Sequence, residues 1–225
     1  MGRVVASLLP LAVVVAVSPA PIIAVVLMLL TPRAGGTSAG FLAGWIVGIA
    51  GVTAGFLLLA GDTAPSSSGG GASEAASWVQ LVLGVLLLTL AAWQWWSRPA
   101  PGEEPELPSW LAAIDRFTPV RVGGLGLALS AVNPKNLLVC VAAGLAIAAG
   151  GLSAAQGTWA VVVFTVTAAS TVAVPVLAFA AGHRRMSGPL ESLRGGLIAR
   201  GRSMAAMLLL VIGVLLLGQA LTGLT

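Results

Sequence analysis

The stretch Ser130–Cys140 reads "SAVNPKNLLVC", with two asparagines, a proline and a lysine inside an otherwise apolar run. A lysine at mid-membrane costs roughly 2.5–3.5 kcal/mol even on lenient insertion scales, so Lys135 needs a use or a partner. It lies about 13 residues from either end of its apolar stretch, which at about 1.5 Å per residue is roughly 20 Å. That distance is beyond the reach of a snorkelling side chain, so Lys135 is expected to face protein. No Asp or Glu lies deep in an apolar stretch, since Asp62 and Glu74 flank a loop. The candidate partners are carbonyls freed by proline, the hydroxyls of Ser18, Thr165, Thr167, Ser170 and Thr171, water, or an anionic substrate. Asn133 and Lys135 together could bind a phosphate, sulfate or carboxylate; the alternative is a structural lysine pinned to carbonyls.

A second polar break, "SPAP", runs from Ser18 to Pro21 near the middle of the first apolar stretch. Proline removes an amide donor and frees the carbonyl one turn earlier. The sequence therefore points to the carbonyls of Val15 and Val17 at this break and of Ser130 at the other. Such groups must meet protein, polar side chains or water rather than lipid. Pro19 lies 21 residues before Gly40, and Pro134 lies 22 before Gln156. Interrupted helices at matching places in two halves are the sequence pointer to a transporter's central site. The candidate site residues are Ser18, Pro19, Pro21, Asn133, Pro134, Lys135 and Asn136.

The elements that must position these residues follow from composition. The chain has 225 residues, 58% hydrophobic and 8% charged, where a soluble domain carries about a quarter charged residues. It reads as an all-α integral membrane protein. Six stretches could each span a bilayer, which takes about 20 apolar residues: 4–31, 38–61, 76–97, 122–149, 154–181 and 204–222. Three spans per half make the halves inverted repeats, 1–97 and 122–225, joined by a loop over 98–121. The first stretch starts like a signal peptide after Arg3, but its apolar run continues past Ala20 to Leu30, which favours a span. Loops one, three and five hold nine of the eleven basic residues, Arg33, Arg98, Arg116, Arg121, Arg184, Arg185, Arg194, Arg200 and Arg202. Those loops are expected in the cytoplasm and both termini outside. Trp93, Trp95 and Trp96 beside Arg98 suit the inner interface.

The net charge of +4 therefore implies orientation and contact with anionic lipid rather than nucleic acid. The third loop has an acidic, proline-rich part and a segment, "SWLAAIDRFTP", that suits either a helix in the headgroup layer or a connector. His183 beside Arg184 and Arg185 reads as interfacial, and Pro175 as a kink in the fifth span that frees the Thr171 carbonyl. Gly40, Gly44 and Gly48, followed by Gly51 and Gly55, and the alanines 12, 16, 20 and 24 offer close-packing faces. The single cysteine, Cys140, reads as a small buried residue. No Ser–His–Asp set, metal constellation or phosphate-binding loop is visible. The sequence thus implies no enzyme, no cofactor and no metal.

The segments "SPAPIIAVVLMLLTPRAGGTSAGFLAGWIVGIAG" and "LSAVNPKNLLVCVAAGLAIAAGG" resemble the paired motifs of the GAP/Sap group. These are the peptidoglycolipid- and sulfolipid-addressing proteins of actinobacteria, within the LysE superfamily of exporters. The resemblance runs over essentially the whole chain, and "NPKN" and "FLAGW" are its more specific parts. It implies a cytoplasmic-membrane protein that helps move a glycolipid toward the cell envelope surface. The expected partners are the lipid substrate and membrane lipids; the small-residue faces are compatible with a homodimer without requiring one, and envelope-export machinery is the other candidate partner. The alternatives are an exporter of an amino acid or other small metabolite, and a non-transporting accessory of a lipid exporter. The superfamily's membrane thiol relays need one cysteine per half, which a chain with Cys140 alone lacks.

Overall fold

The computed structural model describes residues 1–31, 34–63, 71–97, 117–182, 206–218 and 220–222. Among these, every regular element is a helix. In chain order they are α1 (Gly2–Ala16), α2 (Pro19–Leu29), α3 (Ala34–Thr63), α4 (Gly71–Trp96), α5 (Pro119–Ala131), α6 (Pro134–Ala149), α7 (Ala154–Ala180) and α8 (Ala206–Thr222). Within α3, α4 and α7 lie three stretches long and apolar enough to cross a membrane, Ala34–Ala60, Ser77–Trp96 and Ala154–Ala180. The pairs α1–α2 and α5–α6 each pass the same test when taken as one bent span. The shorter α8 falls in the sixth apolar stretch of the sequence.

Large apolar side chains cover the outside: Trp96 is 83% exposed, Met207 68%, Leu58 67% and Val166 65%. Water would penalise such a surface, and hydrocarbon does not. The protein is therefore a multi-pass membrane protein.

The two expected breaks fall where the prolines stand. At each, proline takes the first helical position of a new helix, where its missing N–H is no loss and its fixed φ fits. Ser18 precedes Pro19 and Asn133 precedes Pro134, both in extended backbone with ψ of 116° and 119°. The chain turns by 55° at the first break and 66° at the second. α5 begins by the same device, with Thr118 before Pro119 and its hydroxyl accepting from the Arg121 N–H. Ser153 and Gln156 form a reciprocal cap at the start of α7, satisfying donors that a helix end leaves open. Pro175 lies inside α7.

α3 starts at Ala34, four residues ahead of the apolar stretch. The hydroxyls of Thr37 and Ser38 bond back to the Ala34 carbonyl at 3.4 and 2.5 Å, so this polar turn satisfies itself inside the helix. The loop over 98–116, the fifth loop with His183 and its arginines, and Arg33 lie outside the described residues.

α3 packs along α5 and α6 and also meets α7; α7 in turn packs on α1 and α2; α6 touches α1 and α4. Close approach, not apolar burial, holds helices together in lipid. A Cβ on Gly44 would collide with the Gly123 carbonyl of α5, and one on Gly40 would lie 2.5 Å from the Pro119 carbonyl oxygen. Gly51 and Gly55, by contrast, have open space around them. The small-residue face of α3 therefore stops near Gly48. α4 and α8 meet in the same way, where a Cβ on Gly84 would stand 3.1 Å from the Gly213 carbonyl oxygen.

Candidate functional site

The site forms where the two breaks meet. Lys135 occupies the second position of α6, where its backbone N–H is held by the Asn133 side chain at 3.1 Å. Its side chain leaves α6 and reaches the end of α1. Nζ donates to the Val14 carbonyl at 2.9 Å and to the Ser18 hydroxyl at 2.5 Å. Ser18 donates onward to Asn136 Oδ1 at 3.3 Å, and Asn136 Nδ2 donates to the Leu129 carbonyl at 3.0 Å. One directed chain of hydrogen bonds thus ties the end of α1 to the end of α5 through both breaks. Aligned bonds of this kind strengthen one another in a low-dielectric interior.

The members are buried: Asn136 is 1% exposed, Ser18 3% and Lys135 7%. Lys135 is the only charged side chain buried among the described residues. α1, α2, α5, α6 and α7 contain no Asp or Glu, and among the described residues the ammonium is met by neutral oxygens alone. An ammonium has three donors; two are taken, and the third has no partner among the described residues.

The last turn of α1 explains why Val14 is the acceptor. The Val17 N–H bonds the Val13 carbonyl at 2.9 Å, and the Ser18 N–H takes Val15 at 3.2 Å. Tightening to an i to i+3 bond uses the Val15 carbonyl and leaves those of Val14 and Ala16 to others. Lys135 takes Val14, and the Thr171 hydroxyl of α7 donates to Ala16 at 2.6 Å. The carbonyls from Val13 to Ala16 therefore all have donors. This corrects the expectation for Val15, whose carbonyl takes the Ser18 N–H: proline alone marks the wrong carbonyl when the helix tightens before it. Of the candidate hydroxyls only Ser18 reaches Lys135. Thr167 and Ser170 bond back to carbonyls of α7, and the Thr165 hydroxyl is buried without a partner among the described residues.

The structure brings Ser18, Lys135 and Asn136 into contact. Asn133 caps α6, Pro19 and Pro134 start α2 and α6, and Pro21 is buried in the first turn of α2. Val14, Leu129 and Thr171 belong to the site although the sequence did not select them. Val14 and Leu129 each stand five residues ahead of a break proline, a signal that could have found them. Thr171 was named only as one hydroxyl among several. Cys140 is fully buried in α6.

Two bent spans whose breaks meet around one buried cation, in a bundle of long apolar helices, define a polytopic α-helical membrane protein with a polar centre. Residues 8–222 match the family described as Sap, sulfolipid-1-addressing protein, and the chain belongs to that family. No curated protein and no solved structure matches the chain.

Proposed function

We propose that this protein is a transporter that moves a glycolipid of the sulfolipid or peptidoglycolipid kind across the cytoplasmic membrane toward the cell envelope. The observation that carries this reading is the placement of Lys135. Among the described residues Lys135 is the one buried cation; it lies at the meeting point of two broken helices, and its third N–H has no partner there and is open to an anionic headgroup. Family membership supports the lipid, since its description names a sulfolipid. Ser18, Asn133, Lys135 and Asn136 would contact the headgroup, while Pro19, Pro21 and Pro134 keep backbone polar groups near it.

The second break suits a lipid. Val132 is 71% exposed and Pro134 is exposed too, so the outside of the bundle begins within three residues of Lys135. A headgroup could enter here while its acyl chains stay in the bilayer, which explains why so apolar a protein needs few polar groups.

Six spans in two inverted halves, with α8 as the sixth, are supported by reciprocal packing, in which α3 lies along the second broken pair and α7 along the first. In this reading the basic loops face the cytoplasm and both termini face outward. Rocking between the halves would alternate access to the site.

The test is the fraction of envelope glycolipid extractable from the surface of cells lacking the gene, re-expressing wild type or Lys135→Ala at equal membrane levels. Loss of surface lipid that only wild type restores is the expected result. Restoration by both would make Lys135 structural and favour an accessory of a lipid exporter. No change in surface lipid on deletion would overturn the glycolipid reading in favour of small-metabolite efflux.

A further inference from the structure

We propose that the space between the end of α1 and Ser18 is a monovalent-cation site, and that the Lys135 ammonium is its resident cation. The oxygens that accept from Nζ are a main-chain carbonyl and a hydroxyl, with the Asn136 amide oxygen bonded behind the hydroxyl. Carbonyls of unwound backbone and the C-terminal ends of half-helices are the groups that hold alkali cations in broken-helix transporters. Hard oxygen donors suit such ions.

The electrostatics point the same way. Lys135 sits in the first turn of α6, the positive end of a helix dipole and a poor place for a cation. Its side chain carries the charge away from that end, across to the carbonyl end of α1, which bears about −0.5 of a charge. No carboxylate in α1, α2, α5, α6 or α7 contributes, so the dipole and the neutral oxygens alone make the site attractive to a cation. Asn136 fixes the polarity: its amide donates to Leu129, which turns Oδ1 toward Ser18 and leaves the Ser18 oxygen free to face Nζ. The protein thus carries a tethered cation where a free alkali ion would otherwise bind, and the wild type binds none there. This rests on the geometry around Nζ and stands whether or not the lipid reading does.

The experiment is thermal unfolding of the full-length protein in detergent, in sodium, potassium, methylammonium or choline chloride at fixed ionic strength. The probes are wild type, Lys135→Ala, Lys135→Ser and the double variant Ser18→Ala/Lys135→Ala. Wild type should unfold at the same Tm in all four salts. Lys135→Ala should unfold early in choline and gain about 5–10 °C in saturating sodium, potassium or methylammonium. Lys135→Ser should respond likewise, and the double variant should lose most of the gain. The proposal is overturned if neither single variant responds to any of the small cations. It is equally overturned if wild type gains as much as they do, or if both single variants aggregate in sodium as they do in choline.

Discussion

The carbonyls of Val14 and Leu129, each five residues ahead of a break proline, accept from neighbouring residues of one helix turn, Lys135 at 2.9 Å and Asn136 at 3.0 Å. The two contacts differ in kind. Asn136 reaches seven residues back within its own broken pair, whereas Lys135 crosses 121 residues of chain to the other. One break is thus closed locally, and the other is closed by its partner half.

Asn136 holds two groups at once, so replacing it should cost more than replacing Asn133. Asn136→Leu leaves the Leu129 carbonyl without its donor, at about 1–3 kcal/mol for a buried group left unpaired, and takes the acceptor from the Ser18 O–H while Lys135 still donates to its oxygen. Asn133→Ala loses one cap, about 1 kcal/mol. Thermal unfolding in detergent should rank them in that order, with Asn133→Asp close to wild type.

Thr171 anchors α7 to the end of α1 through the Ala16 carbonyl. Thr171→Val keeps the shape and removes the bond, and single interhelical hydrogen bonds in membranes are worth about 0.6–1.7 kcal/mol. A fall in Tm of that size is expected for Val and little change for Thr171→Ser. Equal Tm for both would show that the bond contributes nothing.

Glycines on α3 should divide by position, not by type. Gly44→Val drives a side chain into the Gly123 backbone of α5. Backbone cannot yield, so a loss at or above the upper end of the usual overpacking cost of about 1–3 kcal/mol, or failure to accumulate, is expected. Gly51→Val meets open space and should fold normally. Membrane yield and monodispersity of the two variants measure this.

Cys140 should be chemically silent. It is fully buried in α6, and a thiol reacts as an exposed thiolate. A maleimide should leave the folded protein unmodified in detergent and label it once denaturant is added. Rapid labelling of the folded protein would mean that α6 opens along its length.

What the sequence by itself determined is local. Pro19 and Pro134 dictate where helices stop, because a missing N–H and a fixed φ act within one turn whatever surrounds them. The apolar runs dictate which segments enter lipid, and the cost of a mid-membrane charge dictates that Lys135 turns inward. Its partners were another matter. Whether Val14 or Val15 is the open carbonyl depends on how tightly α1 winds before the break. Whether Ser18 or one of the α7 hydroxyls meets Nζ depends on which helices lie side by side. The two asparagines of "NPKN" look alike in the sequence, yet Asn133 closes its own turn while Asn136 bridges both breaks. Gly44 and Gly51 are equally small, and only the crossing of α5 makes one of them indispensable. These were decided by tertiary structure, since each turns on where a second segment, far away in the chain, comes to rest.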